Sequence, residues 1–322
     1  MTLMALNQRL VAITKGCASR WHTGLLALLA CLPLHALAAP APEPDMAYGA
    51  YQRGLYQTAV NLALARLKTN PGDGAAMALI GRVYAEGYAF GPHPRQSAGW
   101  YRLAAEKGNT GGEFAWGMDL INGFGTPKNI DAGKAWLTKA ADAGNADAQY
   151  NLGILTLSHG KGTIKPATFL AAATLFRKAA EGGNADAALS LGLLYQAGRG
   201  VPQDDASAAK WFLAAAKGDN APGMVEYGLA EFKGSGVAKN EPGAARWLLK
   251  AANLGNPIAQ DRIARLYAVG RALPLDRVAA LKWYTLAKAA GEYDDWLAQN
   301  LGSTTPQEKA AAGRQLQDYL NP

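Results

Sequence analysis

The sequence predicts an all-α protein built as a solenoid of helical hairpins, and three observations carry that prediction. About a fifth of the 322 residues are alanine, which loses no side-chain entropy in a helix, and runs of β-branched residues are scarce. Sequence markers recur at a period of 36 residues. Within each period, apolar residues fall at helical spacing and are interrupted by glycine-bearing breaks.

The first element is a targeting segment. Lys15 and Arg20 precede an apolar stretch, Leu25 to Leu34, followed by the small-x-small site Ala36-Leu37-Ala38 and then a proline-rich run. A secretory signal spanning 1–38 is expected to be cut after Ala38, giving a periplasmic or secreted chain. The rival is a lipobox, Leu28-Leu29-Ala30-Cys31, which would leave a lipid on Cys31. No later stretch reaches the length of a membrane helix, so no transmembrane segment is expected in the mature chain. Removing 1–38 takes away Arg9, Lys15 and Arg20 and leaves 29 basic against 25 acidic side chains, interspersed and without basic runs. That pattern argues against nucleic acid as a partner. Both cysteines, Cys17 and Cys31, leave with the signal in the main reading, so disulfides, thiolate catalysis and cysteine metal sites are excluded with them.

Residues 39–74 read as a linker and an opening cap. Tyr48 to Tyr56 and Thr58 to Lys68 have the pattern of a short hairpin, with Asn70-Pro71-Gly72-Asp73 as its exit turn.

Six repeats follow, at 75–109, 110–145, 146–184, 185–220, 221–256 and 257–292. Gly108-Asn109 recurs as Gly144-Asn145, Gly183-Asn184, Asp219-Asn220, Gly255-Asn256 and Gly291-Glu292, with one spacing of 39 among spacings of 36. Gly81, Gly117, Gly153, Gly192, Gly228 and Ala264 keep the same phase, which puts the three extra residues in the loop Ser158 to Pro166. Trp100, Trp136, Trp211, Trp247 and Trp283 hold one repeated position, and the third repeat has Leu175-Phe176 there instead. These indoles are expected to be core, each sandwiched between the two helices of its own repeat. The repeated glycines are expected where the first helix approaches the second.

In the fourth repeat the first helix runs from Ala185 to Ala197 and breaks at Gly198-Arg199-Gly200. Asp204 is placed to cap the second helix, as are Asn129, Asn240 and Asp276 in theirs. The second helix is expected to end near Gly218 in a left-handed residue. After the repeats, 293–322 reads as a closing cap. Trp296 to Asn300 extends the last repeat, and Thr305-Pro306-Gln307-Glu308 is a capping box opening a final helix.

The run Ala185-Asp186-Ala187-Ala188-Leu189-Ser190-Leu191-Gly192-Leu193-Leu194-Tyr195, with Gly198-Arg199-Gly200-Val201-Pro202, Ala209-Lys210-Trp211-Phe212 and Ala215-Ala216, resembles the SLR, or Sel-one-like, repeats. These are relatives of the tetratricopeptide repeats. The resemblance covers about two-thirds of the chain and implies a right-handed α/α superhelix of about seven hairpins with a C-terminal capping helix. It also implies protein–protein interaction, as adaptor or scaffold in envelope assembly or signalling. The sequence departs from the pattern in the loop Phe90-Gly91-Pro92-His93-Pro94, in the missing third-repeat tryptophan, and at Ala264 and Arg271-Ala272.

In such superhelices the binding surface lies mainly on the inner face formed by first helices. Spacings of four and three residues assign to it Phe114, Met118 and Ile121; Tyr150, Ile154 and Leu157; Leu189, Leu193 and Gln196; and Val225, Leu229 and Phe232. Arg82 stands at one end, Asp261 and Arg265 at the other. The face reads as an apolar trough for a segment of another protein, or as packing of first helix on first helix.

Chemistry is hard to find. His93 and His159 are the two histidines beyond residue 38, in different repeats and in loops, with no metal-ligand spacing. Ser158-His159-Gly160-Lys161-Gly162-Thr163 lacks the first glycine of a phosphate loop and follows no strand. Asp204-Asp205 and Asp294-Asp295 sit at helix starts, where capping explains them. No catalytic residue, cofactor or metal is therefore expected. The alternatives that stay open are a hydrolase of cell-wall glycopeptides or β-lactams, an activity suggested for some cysteine-rich relatives, and an envelope polysaccharide-binding protein.

Overall fold

The computed structural model describes residues 45–158 and 165–321. The cleavage site after Ala38, Cys31, His159 and most of the loop Ser158 to Pro166 lie outside the described residues. Among those described there are sixteen helices and no strand. A short hairpin, α1 (Met46–Gln52) and α2 (Tyr56–Thr69), opens the stack. The six repeats are α3 (Gly74–Glu86) with α4 (Pro94–Glu106), α5 (Thr110–Asn122) with α6 (Ile130–Asp142), α7 (Ala146–Ser158) with α8 (Pro166–Glu181), α9 (Ala185–Ala197) with α10 (Asp205–Lys217), α11 (Ala221–Lys233) with α12 (Glu241–Asn253), and α13 (Pro257–Val269) with α14 (Arg277–Ala289). Two helices, α15 (Asp295–Gly302) and α16 (Pro306–Leu320), close it.

The boundaries follow from local chemistry. Asn109, Asn145, Asn184, Asn220 and Asn256 each accept a backbone N–H of the following first helix through the side-chain oxygen. Asn129, Asp204, Asn240 and Asp276 do the same for second helices. The first helices α3, α5, α9, α11 and α13 end in left-handed glycines, Gly198 at φ 62° for example. One expectation is corrected at the other end: Gly218 has φ −86°, and the next residue, Asp219, carries the left-handed conformation at φ 59°. That position belongs to glycine in the other repeats, as at Gly183 (φ 91°) and Gly255 (φ 83°). The Thr305 capping box is formed, with Thr305 N–H donating to Glu308 at 2.6 Å and Glu308 N–H to Thr305 Oγ1 at 3.2 Å.

Each hairpin closes on a pairing of small against large. A Cβ added to Gly81 would lie 2.8 Å from the Tyr101 ring, to Gly153 2.5 Å from Phe176, and to Gly192 2.6 Å from Phe212. Gly117 faces Leu137 at 3.1 Å and Gly228 faces Leu248 at 3.3 Å in the same sense. The missing side chain is what lets the second-helix residue fill the seam.

That pairing corrects the expected place of the tryptophans. The seam residue is the one after the indole, or after Leu175 in the third repeat, and Leu137, Phe176, Phe212 and Leu248 are at most 2% exposed. Adjacent helical residues are rotated by about 100°, so the indole is turned out of its own seam. Trp283 is buried, packed edge-on at 5.5 Å against Tyr319 of α16, whereas Trp100, Trp136, Trp211 and Trp247 are half-buried. Trp211 packs on a cluster drawn both from α8 of the preceding hairpin (Phe176) and from α9 of its own (Leu191, Leu194). Trp100 packs on a cluster shared by the opening hairpin (Ala47, Ala63) and its own α3 (Leu79, Ile80). Trp247 meets Tyr227 of its own α11 edge-on at 5.7 Å, so Trp100, Trp211 and Trp247 keep contact with their own first helices while Trp100 and Trp211 also reach the hairpin before.

Polar links keep the hairpins in register. Asn184 Nδ2 donates to Asp147 Oδ1 at 2.8 Å, and Asn220 Nδ2 to Asp186 Oδ1 at 2.7 Å, each tying the cap of one first helix to the start of the first helix before it. The buried amides of Gln149 and Gln260 donate to Ala141 and Ala252 carbonyls at the end of the preceding second helix. Successive first helices touch, α3 with α5, α9 with α11 and α13 with α15, while α4, α6, α8, α10, α12 and α14 make their main contacts with first helices. First helices therefore form the tighter side of the stack.

Candidate functional site

The stripe assigned to the first helices divides on inspection. Phe114, Met118 and Ile121 are half-buried over Leu137 and Ala140 of α6. Tyr150 and Leu157 pack on the Phe176 cluster, with the Tyr150 ring 5.8 Å from that of Phe176, and Leu189 packs on the large C-terminal core. Val225 is buried at 4% exposure and Asp261 at 5%, so both leave the list of surface residues. The physical reason is that a first helix is wedged between its own second helix, the preceding second helix and its neighbouring first helices, so a stripe four residues wide dips into a seam. In the middle of the face, the exposed apolar residues of the stripe are Ile154 and Leu193, with Gln196 beside them. A continuous apolar trough is not there.

The two ends are hollow instead. At the N-terminal end a cavity of about 420 Å³ lies between α3, α5 and the start of α7, bordered by Tyr48, Arg82, Tyr101 and Phe114. Arg82 is exposed and stands 5.7 Å over the Tyr51 ring. Burial pushes the Tyr101 hydroxyl up to about 12. Nearby in the second repeat, Asp119 of α5 is buried with one carboxylate oxygen unpartnered, and burial alone raises it to about 7.

At the C-terminal end a cavity of about 490 Å³ opens between α11, α13 and α15. Leu229 and Phe232 from α11, Leu248 from α12, Leu266 and Val269 from α13 and Trp296 from α15 supply its apolar lining. Lys233, Arg262, Arg265 and Arg271 supply its polar lining, and no carboxylate borders it. Three predicted residues, Leu229, Phe232 and Arg265, converge here.

The charges are braced from behind. Arg265 donates to Asp294 and lies 3.8 Å from Asp261, with its guanidinium 5.3 Å over the Trp296 ring. Arg271 makes a two-pronged bond to Glu241, at 3.0 and 2.7 Å, and stacks 4.4 Å over Phe232. Burial and the adjacent Asp294 push the Asp261 carboxyl up to about 6. Burial works against ionising Asp294 too, but the Leu297 N–H and Arg265 outweigh it and hold that carboxyl below its usual value. Arg262 has only a long 3.8 Å contact with Asp261, and Lys233 makes no ion pair among the described residues. Lys233, Arg262, Arg271, Val269 and Trp296 were missed in the sequence, since each reads as a solvated or terminal residue by itself. Among the described residues no three His, Cys, Asp or Glu side chains converge in a metal-binding group, and no helix is long and apolar enough to cross a membrane.

The Sel1 repeat model matches residues 74–109, 112–145, 146–184, 185–220, 221–256 and 257–292. This chain belongs to the Sel1 repeat family. A Sel1 repeat protein from Oxalobacter formigenes of known crystal structure is 25% identical, with a TM-score of 0.62 over 75% of this chain and 94% of that one. The c5321 protective antigen of uropathogenic Escherichia coli, which displays an SLR fold, is 22% identical with a TM-score of 0.51, over 82% of this chain and 64% of that one. No curated protein matches the sequence significantly. Sel1 repeats commonly serve as non-catalytic scaffolds that mediate protein–protein interaction.

Proposed function

We propose that this Sel1 repeat protein is an exported, non-enzymatic scaffold that holds another protein on the face formed by its first helices, in envelope assembly or signalling. The observation that supports the reading best is the cavity between α11, α13 and α15, where apolar side chains and four cations line one opening with no carboxylate among them. Monomers rarely leave such a combination bare without a use for it. Export rests on the signal-like segment 1–38, and a mature chain beginning at Ala39 by mass spectrometry is the expected result; a lipid-modified chain beginning at Cys31 would assign it to a membrane surface.

The test is site-specific photo-cross-linking in cells. Cross-linkers at Ile154, Leu193 and Val269 on first helices are compared with cross-linkers at Thr174, Lys210 and Arg246 on second helices, all exposed. A discrete protein adduct from the first-helix set supports the reading. Adducts from the second-helix set alone, or from neither, would overturn it.

A further inference from the structure

Resting on that reading, we infer that the cavity between α11, α13 and α15 takes an acidic segment of the partner protein, anchored by one or two apolar side chains. Two independent features carry this. The floor, from Leu229, Phe232, Leu266 and Trp296, is apolar and large enough at about 490 Å³ for side chains of leucine or phenylalanine size. The rim is of one sign, with four cations and no carboxylate on the lining.

The position of the counter-charges matters as much as their number. Asp261 and Asp294 are 5% and 7% exposed, and Glu241 is held in the grip of Arg271 and of Lys239, at 3.0 Å from the latter. Each therefore orients a guanidinium from the protein side and leaves its outer edge to solvent. Two further acids border a neighbouring pocket with Lys233: Glu226, half-buried and hydrogen-bonded to Gln196, and Asp205, which accepts from Ser235 Oγ at 2.7 Å. Lys233 and Arg262 have the weakest commitments within the protein and stand on neighbouring first helices, so they are the cations freest to meet carboxylates of a partner. Arg265 and Arg271, held 5.3 and 4.4 Å over the rings of Trp296 and Phe232, join the apolar floor to the charged rim. A basic segment would meet like charge here, and a wholly polar one would leave the floor empty.

The experiment uses the purified full chain and three fluorescein-labelled peptides of about twelve residues. One alternates Leu and Phe with Asp and Glu, the second replaces the acids by Lys, and the third keeps the acids and replaces Leu and Phe by Ser. Fluorescence anisotropy is expected to show binding of the first alone, weakened at least about tenfold by the pair Lys233→Glu and Arg262→Glu and by raised salt. Both side chains are exposed, so an unchanged helical circular dichroism spectrum is expected for the double variant, and Arg246→Glu on the exposed side of the second helix α12 serves as a control with unchanged affinity. Equal binding of the lysine peptide, or an acidic-peptide affinity indifferent to the double variant, would overturn the inference. So would tighter, charge-reversal-sensitive binding to phosphatidylglycerol vesicles than to the acidic peptide, which would assign the cavity to lipid. The in-cell cross-link separates the two levels: an adduct that survives Lys233→Glu with Arg262→Glu leaves the scaffold reading standing and removes this occupant.

Discussion

The ring of Phe212 lies against the bare Cα of Gly192, so close that a methyl group on Gly192 would come within 2.6 Å of it. That contact, one helix without a side chain and its partner with a large one, closes the hairpin and is repeated along the stack. Phe212→Ala is expected to cost about 3–5 kcal/mol, and Trp211→Ala distinctly less, because Phe212 is 2% exposed and the indole is half-buried. Urea denaturation of the two variants gives the order. Equal losses would contradict the assignment of the seam.

Gly192→Ala tests the same contact from the other side. Helix propensity alone favours alanine over glycine by about 1 kcal/mol, so an ordinary exposed glycine in a helix is improved by the change. Here the collision with the Phe212 ring reverses the sign, and a lowered melting temperature is expected. A raised one would show that the seam is loose.

Asp219 stands in a left-handed position, φ 59°, that glycine fills in the neighbouring repeats. Asp219→Gly is expected to stabilise the chain by about 1 kcal/mol. Its 2.7 Å pair with Lys250 is exposed on both sides and offers little to lose. Thermal unfolding at two salt concentrations separates strain relief from loss of the pair.

Asp119 makes stability depend on pH in the direction opposite to an ordinary paired carboxylate. Its carboxyl is raised by burial to about 7 in the folded chain, above the unfolded value. Below about pH 4 both states are protonated and the group costs nothing. As pH rises from there the unfolded chain ionises first, stability falls, and the loss is complete above about pH 7. Asp119→Asn is expected to gain about 2–4 kcal/mol at pH 8 and nothing at pH 3. A gain of the same size at both values would trace the effect to packing.

Much of the fold was legible because the repeat writes the same physics six times. Glycine markers such as Gly192 hold their phase since any side chain would break the seam, and cap residues such as Asn220 and Asp204 sit next to the amides they satisfy. The tryptophans were legible as a marker and misread in direction. A rotation of one residue decides whether the indole or Phe212 enters the seam, and both are aromatic. The site was harder still. Leu229, Phe232 and Arg265 follow helical spacing, but Val225 and Asp261 share it and are buried, because the stripe tilts into a neighbour whose distance no periodicity contains. Trp296 and Arg271 reach the cavity from outside the repeat pattern, from a capping helix and a loop.

Hydrogen–deuterium exchange of the chain, alone and bound to the protein that the in-cell cross-link captures, tests the central claim most directly. Protection is expected in the peptides carrying Leu229 to Lys233, Arg262 to Arg271 and Trp296, with the second helices away from the cavity, α10 and α14, unchanged. Protection confined to those second helices, with the cavity exchanging as in the free chain, would contradict it.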